Sequence, residues 1–192
     1  QEMRTLILST ATNLFVERGY DSVSMRNIAE AMEYSPATIY LYFKDKNELL
    51  YTLSEEGFRK FFAYFQSLPP QGDPLKRLQE LGRIYVRFSL ENPVYYDLMF
   101  IMRSPMESLH TGESWELGMK SHGILTSVVE QCIERGYFQK KDPDTVALMV
   151  WSFVHGLVSF KIRDRKKMYE DRDHEEFIYD ALALFNKMLS SF

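Results

Sequence analysis

At 192 residues, 45% apolar and 26% charged, the chain can bury a sizeable core, as one large domain or two small ones, and is too apolar to stay disordered. A net charge of −4 excludes a generally basic coat for nucleic acid. The single cysteine, Cys132, excludes an intrachain disulfide, and no run approaches about 18 uninterrupted apolar residues, so a cytoplasmic protein with no membrane partner is expected.

Periodic segments repeat at three and four residues, and none alternates as a strand does, which predicts an all-α fold. The first helix is expected from Met3 to Arg18, with Met3, Leu6, Ile7, Ala11, Leu14 and Phe15 on its inward face and Gly19 ending it. Ser24 can cap a second helix reaching Met32, whose inward face is Met25, Ile28, Ala29 and Met32. After the turn Glu33-Tyr34-Ser35, Ser35 as cap and Pro36 at the first helical position predict a third short helix to about Phe43. A fourth begins near Lys46 and ends before Pro69-Pro70-Gln71-Gly72, the clearest break in the chain. Further helices are expected at about 74–91, 93–103, 113–135, 143–165 and 173–191, with a loop at 104–112. The chain opens on Gln1 rather than methionine, so its start is expected upstream.

A short helix, a tight turn and a second short capped helix over roughly 24–43 form the helix-turn-helix pattern. A helix that enters the major groove needs a small or polar outward face near its start, and Ser35, Pro36, Ala37 and Thr38 meet that need. Ile39 and Phe43 can turn inward, while Tyr40 and Tyr42 project hydroxyls at phosphate height. Ser24, Arg26 and Lys46 stand where phosphate contacts would be natural, each with solvation or capping as the alternative. Tyr34 has two equal readings, DNA contact and packing.

Residues from about Leu6 to Leu50 resemble the N-terminal domain of TetR-family regulators. The matching stretches are Ala11-Thr12-Asn13-Leu14-Phe15, Gly19-Tyr20, Ile28-Ala29, Ser35-Pro36-Ala37-Thr38-Ile39-Tyr40, and Tyr42-Phe43 followed by Lys46 and Leu49. The resemblance implies a helical homodimer with a DNA-reading head at 1–47 and a ligand-binding and dimerisation body at 48–192. It departs from the family at Glu33, where glycine is common and a positive φ would be costly. Positive charge does not carry the resemblance. Within residues 1–50, Arg4, Arg18, Arg26, Lys44 and Lys46 face seven carboxylates, leaving a net of −2.

In the body, Trp151-Ser152-Phe153-Val154-His155-Gly156 resembles a Trp, His and Gly signature of one TetR subgroup. The surrounding helix carries two apolar stripes, Val146, Val150, Phe153, Leu157 and Phe160, and Ala147, Trp151, Val154, Val158 and Ile162. A helix with one solvent face needs only one. The last helix repeats the pattern through Phe177, Ala181, Leu184, Phe185 and Met188. The resemblance implies that these two helices meet their twofold mates; an intramolecular core is the other reading. Ten methionines and 15% aromatics accompany an expected effector pocket lined by Tyr85, Phe88, Tyr95, Tyr96, Met99, Phe100, Met119, His122, Leu125 and Trp151. Such a lining would take an apolar or aromatic small molecule, and plain core is the alternative for each residue. His122 and His155 read as hydrogen-bonded packing residues, and Cys132 as a buried structural thiol rather than a reactive one. The run Lys161, Arg163, Arg165, Lys166 and Lys167 reads as a solvated helix end.

No histidine pair at metal-ligand spacing, glycine-rich phosphate loop or serine elbow is present, so neither catalysis, metal nor cofactor is expected. The expected function is a palindrome-binding, effector-released repressor. The alternative is a helical ligand-binding or interaction module that has lost DNA binding.

Overall fold

The computed structural model describes residues 2–68, 72–102, 116–138, 141–163, 165 and 169–189. Among these the chain is helical throughout: α1 (Glu2–Arg18), α2 (Met25–Ala31), α3 (Pro36–Tyr40), α4 (Lys46–Tyr64, ending in a 3-10 turn Phe65–Ser67), α5 (Pro74–Glu91), α6 (Pro93–Tyr96, running into a π turn Asp97–Ile101), α7 (Glu116–Glu134), α8 (Pro143–Ile162) and α9 (His174–Leu189). The expected loop at 104–112, and Lys166 and Lys167 of the basic run, lie outside the described residues.

Local chemistry starts most of these helices. At α2, Ser24 and Asn27 form a reciprocal capping box. At α3, Ser35 accepts the Thr38 N–H and Pro36 takes the first position. At α5 and α8, Asp73 and Asp142 cap and a proline follows each. The stops are equally local. Gly19 takes φ +79° and closes α1 on the Phe15 carbonyl, and Gly136 takes φ +78° after α7.

Two compact units result, Gln1–Lys60 with Val94–Leu117, and Phe61–Pro93 with Gly118–Phe192. The first unit's core is built from Ile7, Ala11 and Phe15 of α1, Ile28 and Ala29 of α2, Ile39 of α3, Phe43, and Leu49, Leu50 and Leu53 of α4. Leu98, from the π turn, is also fully buried in it. The compact unit that carries the head runs past residue 47 and takes core side chains from α4 and the α6 segment. Two expectations are corrected. Leu6 is exposed, with Leu8 buried in its place, and the third helix stops at Tyr40.

Here α4 and the α6 segment approach closely at Gly57, where an added Cβ would lie 2.5 Å from Met99 Sδ and 3.1 Å from the Tyr95 ring. Tyr95 donates to Glu56 at 3.3 Å, and Phe58 meets Phe100 edge-on at 5.8 Å.

The second unit gathers Leu75, Leu78 and Leu81 of α5, Val128, Val129 and Cys132 of α7, Phe138, Ala147 and Val150 of α8, and Leu189 of α9. Burial pushes the Cys132 thiol up to about 12, so it stays protonated, as a packing thiol should. By length and mean hydropathy α8 could cross a membrane, yet it packs on α5 and α9. Phe153 stacks on Phe185 at 3.8 Å and 11°. The outer side of α8 remains uncovered, with Leu148 57% and Met149 59% exposed and open space around the Gly156 Cα.

Candidate nucleic-acid interface

The site begins with a strained turn. Glu33 is the one non-glycine among the described residues with positive φ, at +59°. Tyr34 N–H donates to the Ala29 carbonyl at 3.0 Å and Glu33 N–H to the Glu30 carbonyl at 3.1 Å. That six-to-one and five-to-two pair is the Schellman closure usually made by glycine. It ends α2 abruptly and sends the chain straight into the Ser35 cap, which fixes the angle at which α3 leaves.

Replacing Glu33 by Gly removes roughly 1–2 kcal/mol of left-handed strain and returns about 0.4–1 kcal/mol as unfolded-chain entropy. We expect E33G to raise the stability of the first unit by about 0.5–1 kcal/mol, read as a higher urea midpoint at unchanged slope. A lower midpoint would show that the Glu33 side chain stabilises the turn.

Five residues cannot hold a helix alone, so α3 depends on tertiary anchors. Ile39 is fully buried and Phe43 nearly so, and Arg4 lies over the Phe43 ring at 5.0 Å. With these turned inward, Ser35, Pro36, Ala37, Tyr40, Leu41 and Tyr42 are exposed and Thr38 is partly so. Tyr34, on the turn, is exposed as well. The structure thus brings the predicted turn and third-helix residues to one side of the head core.

The predicted phosphate contacts fare differently. Ser24 is exposed, but its Oγ is engaged with the Asn27 N–H at 3.2 Å and Oδ1 at 2.7 Å. Arg26 is exposed and paired with Glu30 at 2.9 Å, an i,i+4 surface pair worth only about 0.3–0.5 kcal/mol that a phosphate can replace.

Lys46 is half-buried and engaged within the head. Its Nζ donates to the Tyr20 carbonyl at 2.8 Å and sits 4.0 Å from the Tyr20 ring centre. Partial burial lowers its pKa, and Asp21 opposes that shift. The Tyr20 hydroxyl in turn donates to Asn47 Oδ1. Lys46 therefore ties the turn after α1 to the start of α4, and only its remaining N–H donors are left for an outside partner. The partner is a backbone carbonyl 26 residues earlier, which no motif announces.

The expected pocket residues are drawn from both units. Tyr95, Tyr96, Met99 and Phe100 belong to the first unit, and Tyr85, Phe88, Met119, His122, Leu125 and Trp151 to the second. Tyr96 and Phe88 are fully buried and Tyr85 and Met99 nearly so. Met119 is 63% exposed and His122 is exposed beside Thr126, so neither lines an interior as expected: the α7 periodicity turns both outward. A polar group the lining omitted is His155, whose Nδ1 shares a 3.0 Å hydrogen bond with the Tyr85 hydroxyl while its ring lies 5.8 Å from Trp151. Burial holds that imidazole below its ordinary pKa, which favours the neutral form. The packing reading of His155 is the one its surroundings match. Among the described residues no cluster of metal-ligating side chains occurs.

For the expected association surface, Val150 is corrected: it is buried in its own unit's core. Phe153, Leu157, Phe160, Phe177, Ala181 and Phe185 are half-buried, and Leu184 and Met188 are 62% and 54% exposed. Leu148 and Met149, outside the expected set, are its exposed counterparts on α8. Further along, Lys161 pairs with Glu175 at 3.6 Å and Arg163 is exposed, which agrees with a solvated helix end.

The profile of the family described as bacterial regulatory proteins, tetR family, matches residues 7–52, and that of a tetracyclin repressor-like C-terminal domain matches residues 78–185. The chain is similar to the uncharacterized HTH-type transcriptional regulator YobS of Bacillus subtilis, 22% identical over 93% of this chain and 85% of that one. To the uncharacterized HTH-type regulator YuxN of the same organism it is 33% identical, over 38% of this chain and a quarter of YuxN's length. A crystal structure of a bacterial regulatory protein in the tetR family from Rhodococcus RHA1 shares the fold, with a TM-score of 0.74 at 21% identity over 98% of this chain and 97% of that one.

Proposed function

Because the chain belongs to the TetR family of bacterial regulatory proteins, as a transcriptional regulator with a helix-turn-helix DNA-binding domain, we propose that it is a cytoplasmic repressor that binds a palindromic operator as a homodimer and leaves it on binding a small apolar or aromatic effector. The observation that carries the DNA reading is the run Ser35 to Tyr42, exposed apart from half-buried Thr38 and inward Ile39, on a helix anchored at Ile39 and Phe43. Such a helix can enter the major groove without unfolding its own core. Tyr40 and Tyr42 supply hydroxyls for phosphates, Ser35 and Thr38 supply further hydroxyls near the groove, and Arg26 exchanges Glu30 for phosphate.

Homodimer formation is supported by α8. It is apolar enough for a membrane, yet only 22% of its most apolar stretch is buried within the protomer. Together with Leu184 and Met188 on α9, its outer face needs a cover, and a twofold mate supplies the same surface in reverse. Release follows if the effector binds the DNA-incompetent arrangement of the two heads more tightly than the competent one. α4, which passes from the first unit into the second after Lys60, is one of three chain crossings between them, the others following Pro93 and Leu117, and the crossing at α4 is where such a preference would be expressed.

Selection of random duplex by the effector-free protein tests the proposal: enrichment of a palindrome is expected, and failure to enrich any would favour the module without DNA binding. Tyr40→Phe should weaken the selected operator by at least about tenfold, the worth of a hydrogen bond to a charged oxygen. Undiminished affinity would remove Tyr40 from the phosphate contacts. With so few outward cations in each head, log K against log salt should slope at about −5 to −6 for the dimer. A slope steeper than about −8 would contradict the contact set.

A further inference from the structure

Leu41 is 83% exposed, more than any other large apolar side chain among the described residues. Among the described residues it belongs to neither core cluster. It caps the C-terminal end of α3, and its neighbours two positions away on either side, Ile39 and Phe43, are buried. Three and four residues separate it from Thr38 and Ala37, so on a helical path its side chain shares their face. A leucine there has no donor or acceptor, and it can read neither phosphate nor the polar edge of a base. In the major groove the one apolar feature that differs between base pairs is the thymine 5-methyl group.

We infer that Leu41 reads one thymine in each half-site by packing against its 5-methyl group. The inference rests on the operator-binding reading and adds a base to it. It accounts for a leucine at a position where an exposed polar residue would serve solubility better. It also divides the labour of the exposed run, with Tyr40 and Tyr42 holding the backbone on either side while the side chain between them reaches the base edge.

The test uses the full chain and the palindrome it selects. Each thymine of one half-site is replaced in turn by deoxyuridine, which pairs identically and lacks only the methyl, and affinity is measured for the wild type and L41A. At one position the wild type should lose about fourfold, the worth of one buried methyl-sized group at ~0.8 kcal/mol, and L41A should lose nothing there. At every other thymine the two proteins should respond alike. L41M, which restores apolar reach, should recover the sensitivity. Identical deoxyuridine profiles for wild type and L41A, or a selected half-site without thymine, would overturn the inference while leaving operator binding intact. Absence of any selected operator for the wild type would overturn the operator-binding reading and this inference with it. Leu41 is 83% exposed and outside both core clusters, so unchanged circular dichroism and melting of L41A are expected and keep the comparison interpretable.

Discussion

Replacing Leu148 and Met188 together by glutamate should give a folded monomer that has lost at least about 100-fold in operator affinity. Both side chains are more than half exposed in the protomer, and neither belongs to the second unit's core. Polar substitutions at such positions shift protomer stability by about 0.5 kcal/mol or less. In a twofold dimer built on α8 and α9 the same change puts four carboxylates into an apolar interface without partners, and an uncompensated buried charge costs several kcal/mol. A monomer engages one half-site only. It forfeits the effective concentration that a linked second head provides, a factor of about 10² to 10⁴. Sedimentation velocity and fluorescence anisotropy on the selected palindrome check the two halves of this expectation. Persistence of a dimer in L148E/M188E would place the interface elsewhere; a monomer that keeps full affinity would remove the need for two heads.

What could be read in the sequence was set by how local its cause is. Ser24, Ser35, Pro36, Pro74, Pro93 and Pro143 act on residues next to them, so helix starts were legible from side-chain chemistry alone, and all four helices of the N-terminal segment start within one residue of where expected. Glu33 was legible as a problem, and the structure supplies its form, a left-handed residue inside a Schellman closure. The extent of the first unit was not legible. Leu98 joins the core of α1–α4 from a π turn some 50 residues further on, and nothing in its local pattern distinguishes it from its neighbours. The Lys46 contact was not legible for the same reason, since a lysine in a first helical turn looks solvated until the Tyr20 carbonyl is folded against it.

Met119 and His122 show a third kind of difference. A list of large side chains on apolar-looking segments carries no phase, and on α7 the phase puts Met119 and His122 outside while Val128, Val129 and Cys132 face in. On α8 both stripes are buried or half-buried in the protomer, and the exposed apolar side chains Leu148 and Met149 lie outside them. Periodicity alone did not assign which side chains enter the protomer's core, which takes in Val150 and leaves Leu148 and Met149 outside.

Phe43→Ala should separate the two units' fates: operator binding lost, dimer retained. Phe43 is 1% exposed and shares a core with Ile28, Ile39, Leu49 and Leu50. Deleting a ring from such a site costs about 3–5 kcal/mol. It strikes α3 doubly, because α3 is held by Ile39 within it and Phe43 just after it, and Phe43 N–H also donates to the Ile39 carbonyl at 3.1 Å. None of the residues in the second unit's core belongs to this cluster, so the energy is removed from one unit alone. A domain of this size loses about 4–8 °C of Tm per kcal/mol, so the unfolding of the first unit should fall by more than about 10 °C. The second unit's transition and the sedimentation coefficient should hold. Phe43→Leu, which keeps most of the volume, should recover the greater part of the loss and restore binding in proportion. If F43A instead lowers one common transition and dissociates the dimer with it, the two units fold as a single cooperative body. Head stability and dimer stability would then be one quantity, and an effector could release DNA only by shifting the whole fold.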